Sequence, residues 1–221
     1  MDHRLSRRDL IAGGLLLLPG CAEFSDRSPY WATIRRLAPG QGDDIRSEIL
    51  KRAKEIPYAS VEVGFGRAPQ ALMVLESFGD GGTFNWAGAG NQLMRTFGPV
   101  VIKLVGLEID LTDTLLSSEW RADVREMVGR RVSRQVRYRA DREVIVNLDS
   151  RFEIKGFENV ELLDGPKTLM RVSESVSQSG QIRFRNHYWV EEESGFCWKS
   201  RQTPIPTLPV LSLRVLRAPR R

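Results

Sequence analysis

Cysteine, histidine and long apolar runs are all scarce in this chain of 221 residues. The two cysteines are Cys21 and Cys197, and the two histidines are His3 and His187. A single histidine beyond the N-terminal region argues against a His-rich zinc site, and a Ser-His-Asp or Cys-His site would have to use His187 as its base. The sequence therefore predicts no metal, no cofactor and no enzyme of these classes.

The N-terminus combines positive charge with a short apolar run. The run Leu10–Pro19 is far shorter than the about 20 residues that a membrane-spanning helix needs, and it is typical of an export signal. It ends in Leu18-Pro19-Gly20-Cys21, which resembles a bacterial lipobox, whose cysteine is acylated and becomes the new N-terminus. We expect residues 1–20 to be a lipoprotein export signal and Cys21 to carry lipid, including palmitate.

Two details of this region concern the route and the destination. The segment SRRDLI (6–11) resembles the twin-arginine signature, so export follows either that route or the general secretory route. The residue after the cysteine is Ala22, whereas an Asp there favours retention in the inner membrane. The sequence predicts a protein of the outer membrane, anchored by lipid and facing the periplasm.

The net charge is mildly positive, at +5 with a pI of about 9.5. An exported protein does not normally meet nucleic acid, so nucleic-acid binding is excluded. The basic balance leaves a solvated surface, an acidic glycan or anionic lipid headgroups as interpretations.

Beyond a polar tether (21–44), the pattern predicts one β domain over 45–217 and a basic tail over 218–221. Apolar residues at helical spacing predict a short helix from Ile45, and SEWRADVREMV (118–128) predicts a second. The rest alternates with period two between turn signals, as in YASVEVGF (58–65). The fold class is all-β, an antiparallel meander forming a barrel or a sandwich, with one or two short flanking helices.

The segment GQIRFRNHYWV (180–190) interleaves basic and aromatic residues. Alternation places Arg183, Arg185, His187 and Trp189 on one face, and Arg201 lies on the next predicted strand. Arginine and flat aromatic rings suit an acidic polysaccharide, because a ring stacks on a sugar and a guanidinium pairs with a carboxylate. The alternative is a solvated arginine face with the tryptophans packed elsewhere.

A possible carboxylate pair lies in GLEIDLTDT (106–114). Asp110 and Asp113 would serve a glycan-modifying enzyme only if they faced each other across a cleft. The simpler interpretation is a turn with Asx-type hydrogen bonds to the backbone.

Three segments together resemble the YjbF/GfcB family of group 4 capsule polysaccharide lipoproteins, over roughly Ile49–Leu216. They are IPYASVEVGFGRAPQALMVLE, GLEIDLTDT and IRFRNHYWVEEESGFCWKSRQTPIPTLP. The most specific pattern comprises Asn186, Tyr188, Trp189, Val190, Gly195, Trp198, Ser200, Arg201 and Gln202.

The resemblance implies an antiparallel β meander, an outer-membrane lipid anchor and no known catalytic activity. It also implies an accessory role in capsule or exopolysaccharide production, with the polysaccharide export machinery as partner. Two alternatives stay open: a LolB-like acceptor that holds acyl chains in an apolar barrel, and a periplasmic enzyme using Asp110 and Asp113.

Overall fold

The computed structural model describes residues 42–66 and 70–219. Over these residues, one helix, α1 (Gly42–Glu55), is followed by twelve strands. They are β1 (Ser60–Phe65), β2 (Ala71–Phe78), β3 (Thr83–Ala87), β4 (Leu93–Phe97), β5 (Val100–Val105), β6 (Asp110–Leu116), β7 (Arg131–Arg139), β8 (Glu143–Leu162), β9 (Gly165–Gln178), β10 (Gln181–Val190), β11 (Cys197–Gln202) and β12 (Leu211–Arg217). Within the described ranges, no helix has the length and apolar character needed to cross a membrane.

The strands form one closed antiparallel barrel. Each strand pairs with its neighbours along the chain, and β1 closes the ring against β12. The predicted all-β antiparallel meander is confirmed, in the form of a barrel rather than a sandwich. We call the end at which β1 begins and β12 finishes the terminal end, and the other the opposite end.

Alternating side chains fill the barrel with two apolar clusters. The larger includes Val63, Trp86 and Leu211, and the smaller includes Phe152 and Tyr188. The loop between β11 and β12 adds to the larger cluster, since Ile205 and Leu208 are buried in it. The interior is therefore largely occupied by the protein's own side chains.

Gln202 joins two walls across this interior. Its side-chain oxygen accepts a hydrogen bond from the Val101 backbone N–H (3.1 Å), and its NH₂ group donates to the Pro99 carbonyl (2.6 Å). Because β5 and β11 lie on opposite sides of the ring, these bonds hold the two walls together.

The second helix predicted over 118–128 is wrong. The structure has a 3₁₀ turn, Val124–Met127, which Asp123 caps by accepting from the Arg125 backbone N–H (2.9 Å). The predicted apolar stripe of this segment is confirmed, because Trp120, Val124 and Met127 are buried in the smaller cluster. Packing against the barrel, rather than helical continuity, determines this segment.

Helix α1 lies on the outside of the barrel. Ile45, Ile49 and Ala53, at helical spacing, pack against Leu216 of β12. Beside them, the buried Glu62 of β1 forms ion pairs with Arg46 of the helix and Arg214 of β12, whose N–O distances are 3.7 and 3.5 Å. The short predicted helix from Ile45 is thus present.

The hairpin of β8 and β9 extends past the terminal end and folds over the outer wall. A register shift between Ile154 and Phe157 marks the bend, where Gly156 has φ 109°. The segment beyond the bend, residues 157–170, is called the overhang. Its tip, Leu163, packs against the helix cluster. The overhang therefore covers the outer faces of β10–β12 near the terminal end.

Candidate functional site

Strand β10 carries the predicted basic row on its outer face. Arg185 and His187 point outward and alternate with inward-facing Asn186 and Tyr188, while Arg183 lies at a bulge where the register with β9 shifts. Arg183 and Arg185 are exposed. Alternation therefore predicted that Arg185 and His187 share a face, although it did not predict the bulge at Arg183.

Pairing extends this row across the five strands from β7 to β11. Arg131 of β7 lies directly opposite Arg151 of β8, and Arg151 and Arg185 both face Ser175 of β9. On the other side of β10, His187 faces Arg201 of β11. We call five of the exposed arginines of this wall the arginine face: Arg131, Arg151, Arg183, Arg185 and Arg201.

Arg131 and Arg151 did not emerge from the sequence. Alternation alone places each of them on the outer face, and this alternation is the sequence signal that could have identified them. Their proximity depends on the register between β7 and β8, which no local pattern reports.

The arginine face forms no ion pair with a carboxylate of the described residues. Across the described residues, none of its five members is within ion-pair distance of an Asp or Glu. Asp149 and Glu153 lie on the same wall. Glu153 is paired with Lys155 (2.6 Å), which lowers the pKa of its carboxyl, and the charge of Arg185 adds to this lowering. Like charges placed directly opposite in a sheet repel each other, so the Arg131–Arg151 pair lowers the stability of the isolated barrel.

The structure does not leave the Trp189 ring free for stacking on a sugar. Trp189 is 6% exposed, because Val160 and Leu169 of the overhang pack against it. Its Nε1–H donates to Glu158 (2.7 Å), and the Lys199 ammonium sits 4.5 Å from the ring centroid. The expectation that Trp189 offers an open aromatic platform is corrected by this cover.

His187 sits at the boundary between the free and the covered parts of the row. Partial burial, with the charges of Arg171 and Arg201, lowers its pKa below the ordinary value, and Glu158 opposes this. Its Nδ1 is buried with no hydrogen-bond partner in the described part of the chain. A neutral imidazole in this basic setting contributes no positive charge to an anion site.

The inner face of β10 holds a buried ionic network. Glu174 of β9 is fully buried and pairs with Arg134 (2.6 Å). It also accepts hydrogen bonds from Ser150 (2.5 Å), Asn186 (2.7 Å) and Tyr188 (2.7 Å). Burial alone would raise the pKa of Glu174, but the charge of Arg134 and these three bonds lower it below its ordinary value. Asn186 and Tyr188 of the family pattern thus support the barrel interior.

Asp110 and Asp113 do not meet across a cleft. Asp110 accepts a hydrogen bond from the Leu107 backbone N–H (3.0 Å), as in a turn, and it faces Arg139 of β7. Asp113 is exposed and faces Arg137. Asp110 thus makes one turn-like bond at the start of β6, whereas Asp113 lies within the strand, and the geometry offers no acid–base pair across a substrate groove.

Of the two cysteines, the structure describes Cys197. Cys21 lies outside the described residues. Cys197 begins β11, and burial raises the pKa of its thiol to about 12, so it is a poor nucleophile. Between residues 42 and 219, excluding 67–69, no group of three His, Cys, Asp or Glu side chains is arranged to hold a metal ion.

A sequence model of the family described as "Group 4 capsule polysaccharide lipoprotein gfcB, YjbF" matches residues 48–216. The crystal structure of the hypothetical lipoprotein YmcC from Escherichia coli (K12) has a similar fold, with a TM-score of 0.67 at 16% identity. The similarity covers 82% of this chain and 100% of that one. No curated protein sequence matches. The chain belongs to the YjbF/GfcB family of group 4 capsule polysaccharide lipoproteins.

Proposed function

We propose that this protein is a non-enzymatic accessory factor in capsule or exopolysaccharide production or export. A lipid on Cys21 would hold it on the periplasmic side of the outer membrane, next to the polysaccharide export machinery. Family membership supports the capsule association, and the lipobox-like sequence ending at Cys21 supports the anchor.

Within this role, the arginine face binds an acidic polysaccharide. The observation that carries this proposal is the direct opposition of Arg131 and Arg151, with no carboxylate in ion-pair distance of either. An anionic polymer lying across β7–β10 would supply the missing counter-charge. A polymer suits the site because the arginines are spread across several strands instead of surrounding one pocket.

Each contact on this exposed wall is worth about 1 kcal/mol or less, so binding needs several arginines at once. Salt weakens such contacts, because the Debye length falls from about 10 Å at 0.1 M to about 3 Å at 1 M. The proposal therefore predicts weak, salt-sensitive and multivalent binding.

The direct test titrates the purified protein with the organism's own exopolysaccharide at low ionic strength. Arg183→Gln with Arg185→Gln should weaken binding several-fold without unfolding the barrel. The matched control is Arg95→Gln with Lys103→Gln, a directly opposed basic pair on the β4–β5 wall. Equal loss in both double variants would mean that net charge alone matters. No binding by the unsubstituted protein would overturn the glycan-binding role.

The anchor is tested separately. The unsubstituted protein should incorporate a labelled palmitate analogue, and Cys21→Ala should abolish the incorporation. Labelling that survives this substitution would contradict the lipid site without affecting the glycan proposal.

The export route has its own test. Arg7→Lys with Arg8→Lys keeps the positive charge that the general secretory route needs but removes the twin arginines. Loss of export in this variant would support the twin-arginine route, and undiminished export would show that only the charge matters.

The two other functions lack a supporting observation in the described structure. A LolB-like acceptor needs room for acyl chains through the barrel, whereas two packed clusters and the Gln202 bonds occupy most of this interior and leave a cavity of about 250 Å³ at the terminal end. An enzyme using Asp110 and Asp113 needs them to converge, and they face Arg139 and Arg137 instead.

A further inference from the structure

Three carboxylates on the outer wall around the overhang already have basic partners. Their ion pairs are Glu158–Arg171, Glu62–Arg214 and Glu153–Lys155, with N–O distances of 2.5, 3.5 and 2.6 Å. By contrast, Lys199 and Arg201 of β11 form no ion pair among residues 42–66 and 70–219. Strand β11 therefore carries two cations without a paired carboxylate at the edge of the overhang.

Lys199 is held over a buried aromatic ring at this edge. It lies directly opposite Trp189, and its ammonium is 4.5 Å from the centroid of the Trp189 ring. Partial burial and the charges of Arg214 and Arg201 lower the pKa of Lys199, while Glu158 opposes this lowering. Because neighbouring cations repel the ammonium, an anion beside it would be stabilised. The cation–π contact with Trp189 orients the side chain before a ligand arrives.

His187 places an imidazole beside these cations. It faces Arg201 of β11 on one side and Ser173 of β9 on the other. Ser173 is fully buried, and neither its hydroxyl nor the buried Nδ1 of His187 has a hydrogen-bond partner in the described part of the chain. An imidazolium has two N–H donors, so one can point inward to Ser173 while the other meets a ligand at the surface. The described charged residues around His187 are Glu153, Glu158, Arg171, Arg185, Lys199 and Arg201.

The spacing of the three basic side chains suits one small acidic group. Adjacent strands lie about 4.8 Å apart, and successive outward residues of one strand lie about 7 Å apart. His187 and Arg201 are directly opposed on adjacent strands, and Lys199 is the next outward residue of β11. Donors on long side chains at this spacing can converge on a single carboxylate or phosphate group.

The overhang determines which part of a polymer reaches this place. Val160 and Leu169 of the overhang cover Trp189, so the outer surface of β10 is closed beyond His187. A chain lying across the arginine face therefore cannot continue along β10 toward the terminal end. The end of such a chain can reach His187 and Arg201, where the uncovered surface stops.

We propose that His187, Lys199 and Arg201 form a subsite for one compact acidic group, a carboxylate or a phosphate, at the end of the polysaccharide chain. The proposal rests on the glycan-binding function proposed above, and it adds where the chain end lies and which side chains hold it. The bound anion favours the imidazolium form of His187, because a nearby opposite charge raises the pKa of the imidazole. Binding therefore takes up a proton from solvent at His187, and it should strengthen as the pH falls.

The test follows the imidazole NMR signals of His187 in the full chain as D-glucuronate or inorganic phosphate is added, with ionic strength matched by sodium chloride. His187→Gln assigns these signals, since the sequence has one other histidine, His3. Either anion should raise the pKa of His187 saturably, whereas uncharged glucose should leave it unchanged. A larger effect of glucuronate would identify a carboxylate as the ligand group, and a larger effect of phosphate would identify a phosphate. No rise with either anion would overturn the proposal.

Two basic pairs are compared by substitution. Lys199→Gln with Arg201→Gln should weaken anion binding by about tenfold, as expected for the loss of two partly exposed contacts. The matched control is Arg95→Gln with Lys103→Gln on the β4–β5 wall, which should leave anion binding unchanged. If the first double variant fails to fold, Arg201→Gln alone, at an exposed position, should still weaken binding by about threefold. Unchanged binding in Arg201→Gln would contradict the subsite.

The pH dependence is measured with glucuronate, whose carboxylate keeps its charge between pH 5 and 8. Binding should strengthen as the pH falls through the pKa of His187. His187→Gln should bind as the unsubstituted protein does at pH 8 but lose this dependence. The same pH dependence in both proteins would show that His187 is not part of the subsite.

A last comparison separates the subsite from the glycan-binding function. Arg131→Gln with Arg151→Gln should weaken polymer binding but leave the anion titration unchanged, because both residues lie on strands β7 and β8. Polymer binding without anion binding would overturn the subsite alone. Anion binding without polymer binding would overturn the glycan-binding function and leave a site for a free anion.

Discussion

The two faces of β10 treat polar groups in opposite ways. On the inner face, Asn186 and Tyr188 donate to the carboxylate of Glu174, whose charge is balanced by Arg134. On the outer face, Arg183 and Arg185 have no ion pair within the described structure. The inner residues thus complete a network that the fold requires, whereas the outer arginines remain available to a partner outside the chain.

The outer face is itself divided by the overhang. Trp189 lies on the same side of the strand as Arg185, yet the overhang buries it and Glu158 accepts from its indole N–H. The burial of Trp189 therefore stabilises the fold, as the burial of a core residue does. The exposed part of the outer face of β10 ends near His187, where the overhang begins to cover the strand.

The largest expected effect comes from breaking the inner network. Glu174→Gln leaves Arg134 buried without its counter-charge, and breaking a buried pair in this way costs about 3–5 kcal/mol. Chemical denaturation should show this loss in the free energy of unfolding. Glu153→Gln on the outer face, where the partner is Lys155 and both side chains are substantially exposed, should leave the free energy of unfolding nearly unchanged.

A double variant sharpens this prediction. Replacing both Arg134 and Glu174 with Met removes the two charges together, so it should cost less than Glu174→Gln alone. A double variant as unstable as the single one would show that the hydrogen bonds, rather than the unpaired charge, dominate the loss.

The next effect in size concerns the covered half of the row. Trp189→Ala should lower the free energy of unfolding by about 3 kcal/mol, because it leaves a cavity under the overhang and removes the bond to Glu158. Phe157→Ala is the control on the overhang itself, since Phe157 is 53% exposed, and it should cost under about 1 kcal/mol. Equal losses would mean that the overhang does not pack on Trp189.

His187 should link stability to pH. Its folded pKa is lowered by partial burial and by Arg171, Arg201 and Arg185, with Glu158 opposing them. In the unfolded chain His187 has its ordinary pKa of about 6.5. Just below this pH the unfolded chain binds more protons than the folded protein, so stability falls as the pH drops from this value toward the folded pKa. His187→Gln should remove this part of the pH dependence, which unfolding curves between pH 5 and 8 would measure. An unchanged pH profile would contradict the assignment.

Local signals were enough to predict the strands but not their long-range contacts. Period-two alternation and turn residues predicted the meander and the shared face of Arg185 and His187, because both depend on adjacent residues. The burial of Trp189 depends on a bend at Gly156 in a different strand, and the Arg131–Arg151 pair depends on register. The stripe at 118–128 suited a helix, yet packing against the barrel produced a 3₁₀ turn.

The smallest expected effect tests whether the arginine face has a cost for the isolated barrel. Arg151 lies directly opposite Arg131 with no carboxylate within ion-pair distance, so Arg151→Gln should raise the free energy of unfolding by about 0.2–0.5 kcal/mol at low salt. The gain should vanish at about 1 M salt, where screening removes the repulsion. Arg95→Gln is the comparison. Arg95 lies opposite another basic residue, Lys103, but it also donates to Asn85 (2.7 Å), so its replacement removes a hydrogen bond as well as a repulsion. If Arg151→Gln instead destabilises the barrel and leaves glycan binding intact, Arg151 has a structural role. A small stabilisation together with weaker glycan binding would show that Arg151 contributes to glycan binding at a small cost in the stability of the barrel.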